Sequence, residues 1–289
     1  MVQRAALKRL SLKAKNEIGE SNVDIHEQVK LLRNVLQDLS FPLENYETLR
    51  LPPNFDDFLM RCLRVRKFDV ARAAKLVSNY FKVLNEISDM HSHLMPSSQK
   101  DVYDLLGIAV LKHRDSEGRT ILLARQEPLP AGEFSFDKSL AASMLVIDEI
   151  NRRSVDTQRL GIVFVIDWKG FTLAHLRQTS PSRLRTCVKI FQDAFPARFK
   201  AFHFIRNPLL VSYFYAIVKP FLGDKIRNRV HFHGHDMNNF FKYVSPDILP
   251  QFLNGNLNDD DYMDAEFTSR LVTQDSYYSE VLSCGYNNK

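Results

Sequence analysis

Residues 189–234 read KIFQDAFPARFKAFHFIRNPLLVSYFYAIVKPFLGDKIRNRVHFHG. The order is a helix end, a strand over Phe199–Ile205, an apolar helix over Leu209–Val218, a short basic helix and a second strand over 229–232. Asn207 and Pro208 supply the start signal of the middle helix: an amide N-cap, then proline at the first helical position, where a missing N–H costs nothing. From Leu209 to Val218 only Ser212 interrupts the apolar run. Such a helix is either buried all round or has a second apolar partner that comes and goes. Lys219, Lys225, Arg227 and Arg229 follow, opposed locally by Asp224, and the four-residue spacing of Lys225 and Arg229 puts them on one helix face. A greasy helix joined to a cationic one predicts a lid beside an anionic surface.

Working outward, GIVFVIDWKG at 161–170 reads as a buried strand, with Ile162, Phe164 and Ile166 facing one way and Val163 and Val165 the other. Segments 108–113 and 120–125 flank DSEG, a hairpin turn. Helices over 138–153, with Leu140, Met144, Leu145 and Ile147 as its stripe, and over 182–194 alternate with these strands. That alternation predicts an α/β sheet with helices packed on it. Nearer the start, Asp24 and Glu27 resemble a capping box, and Ile25, Val29, Leu32, Val35, Leu36 and Leu39 mark one helix face. A loop with Pro42, Pro52 and Pro53 leads to a helix carrying Phe58, Leu59, Cys62 and Leu63, then to an Asp69-capped helix ending near Glu86. The expected division is a flexible basic lead-in (1–23), an N-terminal helical unit (24–93), an α/β domain (94–257) and an acidic tail (258–289).

The 289 residues include 21 Phe, more apolar interior than packing alone requires. The net charge of +5 is mild, but Asp259, Asp260, Asp261, Asp264 and Glu266 concentrate acid in the tail and leave the rest more basic. This favours a local patch for phosphates or anionic lipid over a polycation, and no nucleic-acid partner is expected. Cys62, Cys187 and Cys284 form no CxxC pair, which argues against a disulfide framework or zinc site. MVQRAALKRLSLKAKNEIGE has no apolar h-region, and no run approaches the ~18 apolar residues that span a bilayer, so a cytosolic protein is expected. No P-loop, dinucleotide GxGxxG, GxSxG elbow or HExxH is present. His231, His233 and His235 alternate, but Gly234 breaks the strand and only Asp236 is near, so a structural role is expected and no metal. His91 and His93 are read as solvated, and Trp168, at a strand end, as a packing residue.

FLMRCLRVRKFDVARAAKLVSNYFK, TQRLGIVFVIDWKGF, FQDAFPARFKAFHFIRNP, VKPFLGDKI and VHFHG together resemble the CRAL-TRIO lipid-transfer family, in the branch of cellular retinaldehyde-binding protein, clavesin and alpha-tocopherol transfer protein. The resemblance covers about residue 25 to the tail. It implies an all-α N-terminal unit before an α/β domain with a mixed β-sheet floor, flanking helices and a mobile lid. It implies a non-enzymatic carrier of one retinoid-, tocopherol- or carotenoid-like lipid, exchanged at phosphoinositide-containing membranes. No cofactor is implied beyond the bound lipid. A monomer is implied, cytosolic and peripherally associated with membranes, endosomal ones among them. The lipid pocket would be lined by Met144, Asp148, Ile162, Phe164, Ile166, Ile190, Phe191, Phe202, Phe204, Phe214, Ile217 and Val218. Head groups would meet Arg66, Arg198, Lys200, Lys225 and Arg229, each worth roughly 1 kcal/mol against anionic lipid. A cavity of roughly 300–1,000 Å³ is expected. The alternatives are a phosphoinositide-reading trafficking adaptor without cargo, and an enzyme with Asp148 or Glu149 as base. The chain departs from the family at ILPQFLNGNL, which keeps only Gly255 of a glycine pair, and at Asp148, where tocopherol-binding relatives carry a small hydroxyl residue.

Overall fold

Alternating apolar residues assemble into one five-stranded sheet in the computed structural model, which describes residues 2–38 and 54–284. The strands lie in chain order: β1 (Ile108–Val110), β2 (Thr120–Arg125), β3 (Ile162–Asp167), β4 (Phe199–Ile205) and β5 (Val230–Gly234). β1 and β2 run antiparallel and the remaining pairs parallel, so the sheet is mixed. The hairpin strand expected over 108–113 stops at Val110. Beyond it the chain turns to the tail, where Lys112 N donates to Tyr262 O and Asp264 N to Val110 O, so the tail covers this edge.

Register puts the two faces of β3 to different uses. Val110, Leu122, Phe164, Phe202 and Val230 form one cross-sheet row, and Ile108, Ala124, Ile166, Phe204 and Phe232 the next. Val163 and Val165 face the opposite way, into a separate core with Met237, Phe240 and Tyr262.

Helices surround this floor. α1 (Val2–Glu17), α2 (Ile25–Asp38), α3 (Phe55–Val65), α4 (Val70–Glu86) and α5 (Lys100–Asp104) precede it. α6 (Phe136–Arg153) and α7 (Val155–Leu160) join β2 to β3; α8 (Leu173–Arg177) and α9 (Pro181–Lys189) join β3 to β4. α10 (Leu209–Val218) and α11 (Asp224–Arg227) join β4 to β5, and α12 (Met237–Phe241), α13 (Ala265–Leu271) and α14 (Asp275–Leu282) follow. Caps agree with composition at several starts. Asp69 accepts from Arg72 N at 3.0 Å, Ser135 Oγ from Lys138 N at 3.1 Å, and Asp24 Oδ1 from His26 N and Glu27 N. α10 differs: Pro208 is its N-cap, and Asn207 Oδ1 instead accepts from Gly234 N at 3.0 Å, tying the helix start to the end of β5. Leu39, Pro42, Pro52 and Pro53 lie outside the described residues.

Two terminal expectations change. The lead-in is helical over Val2–Glu17, with Ser11, Ala14 and Ile18 buried and α1 packed on α7. Glu20 fixes it: its carboxylate is fully enclosed and accepts from Arg64 Nη2 at 2.8 Å and Arg159 Nη2 at 2.9 Å. The acidic tail folds back as α13 and α14, and Tyr278 OH donates to Asp148 Oδ2 at 3.2 Å. At ILPQFLNGNL, Asn254 takes the left-handed conformation at φ 58° in place of a glycine, a geometry asparagine tolerates. Gly255 remains necessary, because a Cβ there would lie 2.1 Å from Leu249 O.

Candidate functional site

In front of the floor, beneath α10 and beside α6 and α9, lies a mostly apolar cavity of about 160 Å³. Phe164 and Ile166 rise from β3, Phe191 comes from the π-turn Ile190–Ala194 that ends α9, and Phe214 hangs from α10. These four are the predicted residues that the fold brings to the cavity wall. Ile162, Phe202 and Phe204 share the same sheet face but belong to the packed floor, and Ile190 is fully buried in the core. Met144 and Asp148 border a separate void of about 30 Å³ beside Tyr278. Val218 is buried off the wall, and Ile217 points outward. The rest of the wall includes Phe134, Phe136, Leu140, Trp168 and Phe171. Phe134 and Phe171 sit in loops, where no period marks an inward residue.

An apolar cavity of about 150 Å³ holds benzene, so 160 Å³ is smaller than the expected volume, and a molecule of retinoid size requires the walls to part. α10 is the wall with two apolar faces. Val211 and Val218 are buried and Phe214 faces the cavity, whereas Leu209 is 81% exposed and Tyr213 70%. With Ile217 and Phe221, each 45% exposed, they recur every four residues and form one outward apolar stripe. Beyond α10, Gly223 N donates to Gln192 Oε1 at 2.7 Å, latching the end of the lid to the π-turn.

The predicted cations converge beside this latch. Arg66 caps α3, Arg198 and Lys200 flank the start of β4, Lys225 lies on α11, and Arg229 precedes β5. Burial, then the charges of Arg198, Arg119 and Arg229, bring the Lys200 ammonium down to about 8. Burial and then Arg229, Arg66, Arg198 and Arg72 lower Lys225. Burial followed by Arg229 lowers Arg198. Three hydrogen bonds to carbonyls hold the group: Arg198 Nη1 to Arg159 O, Arg229 Nη1 to Phe199 O, and Arg66 Nη2 to Asp193 O at 3.5 Å. Gly161 (φ 94°) makes the close approach possible, since a Cβ there would lie 2.6 Å from Arg198 O and 2.8 Å from Lys200 Cγ. None of the five predicted cations forms an ion pair among the described residues. Mutually repelling, half-buried cations without carboxylate partners suit an anion with several charges.

Other candidate chemistry is occupied structurally. Asp148 Oδ1 accepts from Arg61 Nη1 at 2.5 Å in a buried pair, and Glu149 accepts from Arg152 and Arg153. Neither carboxylate reaches the main cavity, so neither is placed as a base there. On the far face of the sheet His203 Nδ1 lies 3.0 Å from His233 Nε2, and His231 stacks on His203 with ring centroids 5.0 Å apart. Burial, then His231 and His233, push His203 down to about 3; burial and His231 push His233 to about 4. These imidazoles are neutral packing groups, and no set of three or more metal-ligating side chains is assembled among the described residues. No helix among those residues is long and apolar enough to cross a membrane.

Comparison with known proteins agrees with this architecture. The CRAL/TRIO domain model matches residues 106–255. The chain is 33% identical over 247 residues to alpha-tocopherol transfer protein-like of Mus musculus, covering 85% of this chain and 69% of that protein. It is 32% identical over 251 residues to clavesin-1 of Xenopus laevis, covering 85% and 72%. The crystal structure of Sfh5 superposes with a TM-score of 0.54 at 14% identity, over 87% of this chain and 97% of that one, a likeness of fold alone. With the domain match spanning the floor, the cavity and the lid, the chain belongs to the CRAL/TRIO family of lipid-binding proteins.

Proposed function

We propose that this chain carries one small hydrophobic lipid under α10 and exchanges it at membranes bearing phosphoinositides. The observation that carries this reading is the two-sidedness of α10, with Phe214 on the cavity and Leu209 and Tyr213 exposed to the outside. Swinging α10 outward would widen the cavity and offer its apolar stripe to the bilayer. The cation cluster, joined to α10 through the Gly223 latch, would supply head-group attraction at the same moment. A ligand shifts such an equilibrium only by binding the open form better, which a membrane surface contacting the stripe and the cations together would do. The chemistry of the wall supports a retinoid-, tocopherol- or carotenoid-like molecule over a charged one. The name of the alpha-tocopherol transfer protein-like relative speaks for transfer.

One observation favours a second reading. A cavity of about 160 Å³ suits an adaptor that reads phosphoinositide without bulky cargo. Organic extraction and mass spectrometry of the purified protein separate the two. The carrier reading expects one apolar molecule per chain, lost to phosphoinositide vesicles faster than to neutral ones. Head-group binding with no co-purified or exchangeable lipid would leave the adaptor.

A further inference from the structure

The cavity wall contains polar groups, and most of those that line it are already satisfied. Ser139 and Ser143 hydroxyls donate to carbonyls one turn back on α6, at 3.2 and 2.9 Å. Gln126 Nε2 donates to Leu129 O at 2.9 Å. His175 Nδ1 accepts from Thr172 N at 3.0 Å, which leaves its Nε2–H to donate to Leu129 O at 3.1 Å. Two donors differ: Arg125 Nε–H, on a guanidinium turned behind the sheet over Phe252, and Trp168. Trp168 is buried in the wall, and its Nε1–H meets no acceptor among the described residues. Its ring is boxed by Phe171, Phe204 and Phe214, with centroids 4.7, 5.7 and 5.9 Å away, so the orphan donor sits where floor, loop and lid meet. A buried indole N–H ordinarily finds a partner, because leaving one unmade forfeits its hydration without compensation. The wall's one guanidinium, Arg125, lies over the Phe252 ring at 4.1 Å, and that ring packs into the core behind the sheet. A charged head group would therefore enter the cavity unpaired.

Resting on the carrier reading, we propose that the ligand is a neutral apolar molecule with one acceptor oxygen (a carbonyl, ester or hydroxyl), and that Trp168 Nε1–H donates to it. Trp168 thereby sets specificity among hydrophobic molecules of similar shape. The partner it lacks within the chain arrives with the ligand.

The test uses two probes of nearly identical shape, acetophenone and α-methylstyrene, which differ by C=O against C=CH2. Because Trp168 is the chain's one tryptophan, its indole N–H gives a single resonance in ¹H–¹⁵N spectra of the full-length protein. The wild type should favour acetophenone over its hydrocarbon twin by roughly tenfold more than Trp168→Phe does, and acetophenone should move that resonance further downfield than the twin, whose ring current is the same. Trp168→Phe should favour α-methylstyrene, because the ketone oxygen then loses its hydration without a partner. Matching shifts from the two probes in the wild type would overturn the proposal while keeping the cavity. So would a preference between the probes that Trp168→Phe leaves unchanged. If neither probe binds, the cavity receives no apolar ligand, and the carrier reading fails with this one. The wild-type comparison stands even if the variant folds poorly.

Discussion

Lys200 shows how position remakes an ordinary side chain. Burial and then Arg198, Arg119 and Arg229 lower its pKa from 10.5 to about 8, so its charge is present at pH 7 and is lost as pH rises through 8. Binding to phosphoinositide vesicles should therefore weaken between pH 7 and 9. The loss should be about fivefold at most, since one cation near anionic lipid contributes roughly 1 kcal/mol. Lys200→Arg, which stays charged, should give a flatter profile than the wild type in vesicle co-sedimentation. Identical profiles for variant and wild type would place Lys200 outside the contact. The sequence motifs single out the five cations, but not the depressed pKa. It depends on Arg119, which lies in the β1–β2 connection far from any of those motifs. The histidines behave the same way. Alternation put His231 and His233 on one face of the strand, yet nothing local announced His203 as their partner across β4 and β5.

Among the elements, the π-turn Ile190–Ala194 joins the parts that the proposed exchange would move together. Phe191 reaches the cavity, Gln192 holds Gly223 N, and Asp193 O accepts from Arg66 and from Asn79 at 3.2 Å. Sequence reads 182–194 as one helix; the wider last turn arises from packing against α4, which no local pattern encodes. α10, in contrast, was legible to its last residue, because its apolar run ends at Lys219 and Pro220. Its division into one stripe facing the cavity and one facing out was not, since nearly every position in it is apolar. Gln192→Ala should release the latch on Gly223. An exposed hydrogen bond of about 1 kcal/mol or less bounds the gain to roughly a fivefold faster transfer of bound lipid to phosphoinositide vesicles, with the amount bound unchanged. A stopped-flow transfer rate equal to wild type would mean that this latch does not limit exchange.

For the molecule as a whole, the sheet with its two faces followed from alternation, while the way the N-terminal helices join it did not. α1 and the turn after it carry Leu7, Leu10, Ala14 and Ile18 among Arg4, Lys8, Arg9, Lys13 and Lys15, too sparse a stripe to predict order in isolation. Its place is fixed by tertiary contact through Glu20. Burial alone would raise the Glu20 pKa, but hydrogen bonds from Arg159 and Arg64 outweigh it and bring it to about 2. With the folded value below the ordinary 4.5, this carboxylate stabilises the fold above pH 4.5, and its contribution is lost as pH falls toward 2. Arg159 also holds Arg198 through its carbonyl, so the joint reaches the cation cluster. Glu20→Ala leaves Arg64 buried with only Gln158 as partner, and should destabilise the chain by about 3 kcal/mol in urea unfolding at pH 7. Because the titrating group is then gone, the variant's stability should also change less than the wild type's between pH 5 and 3. A loss at pH 7 below ~1 kcal/mol, the range of exposed ion pairs, would mean that water reaches the arginines and that α1 is held by its apolar contacts alone.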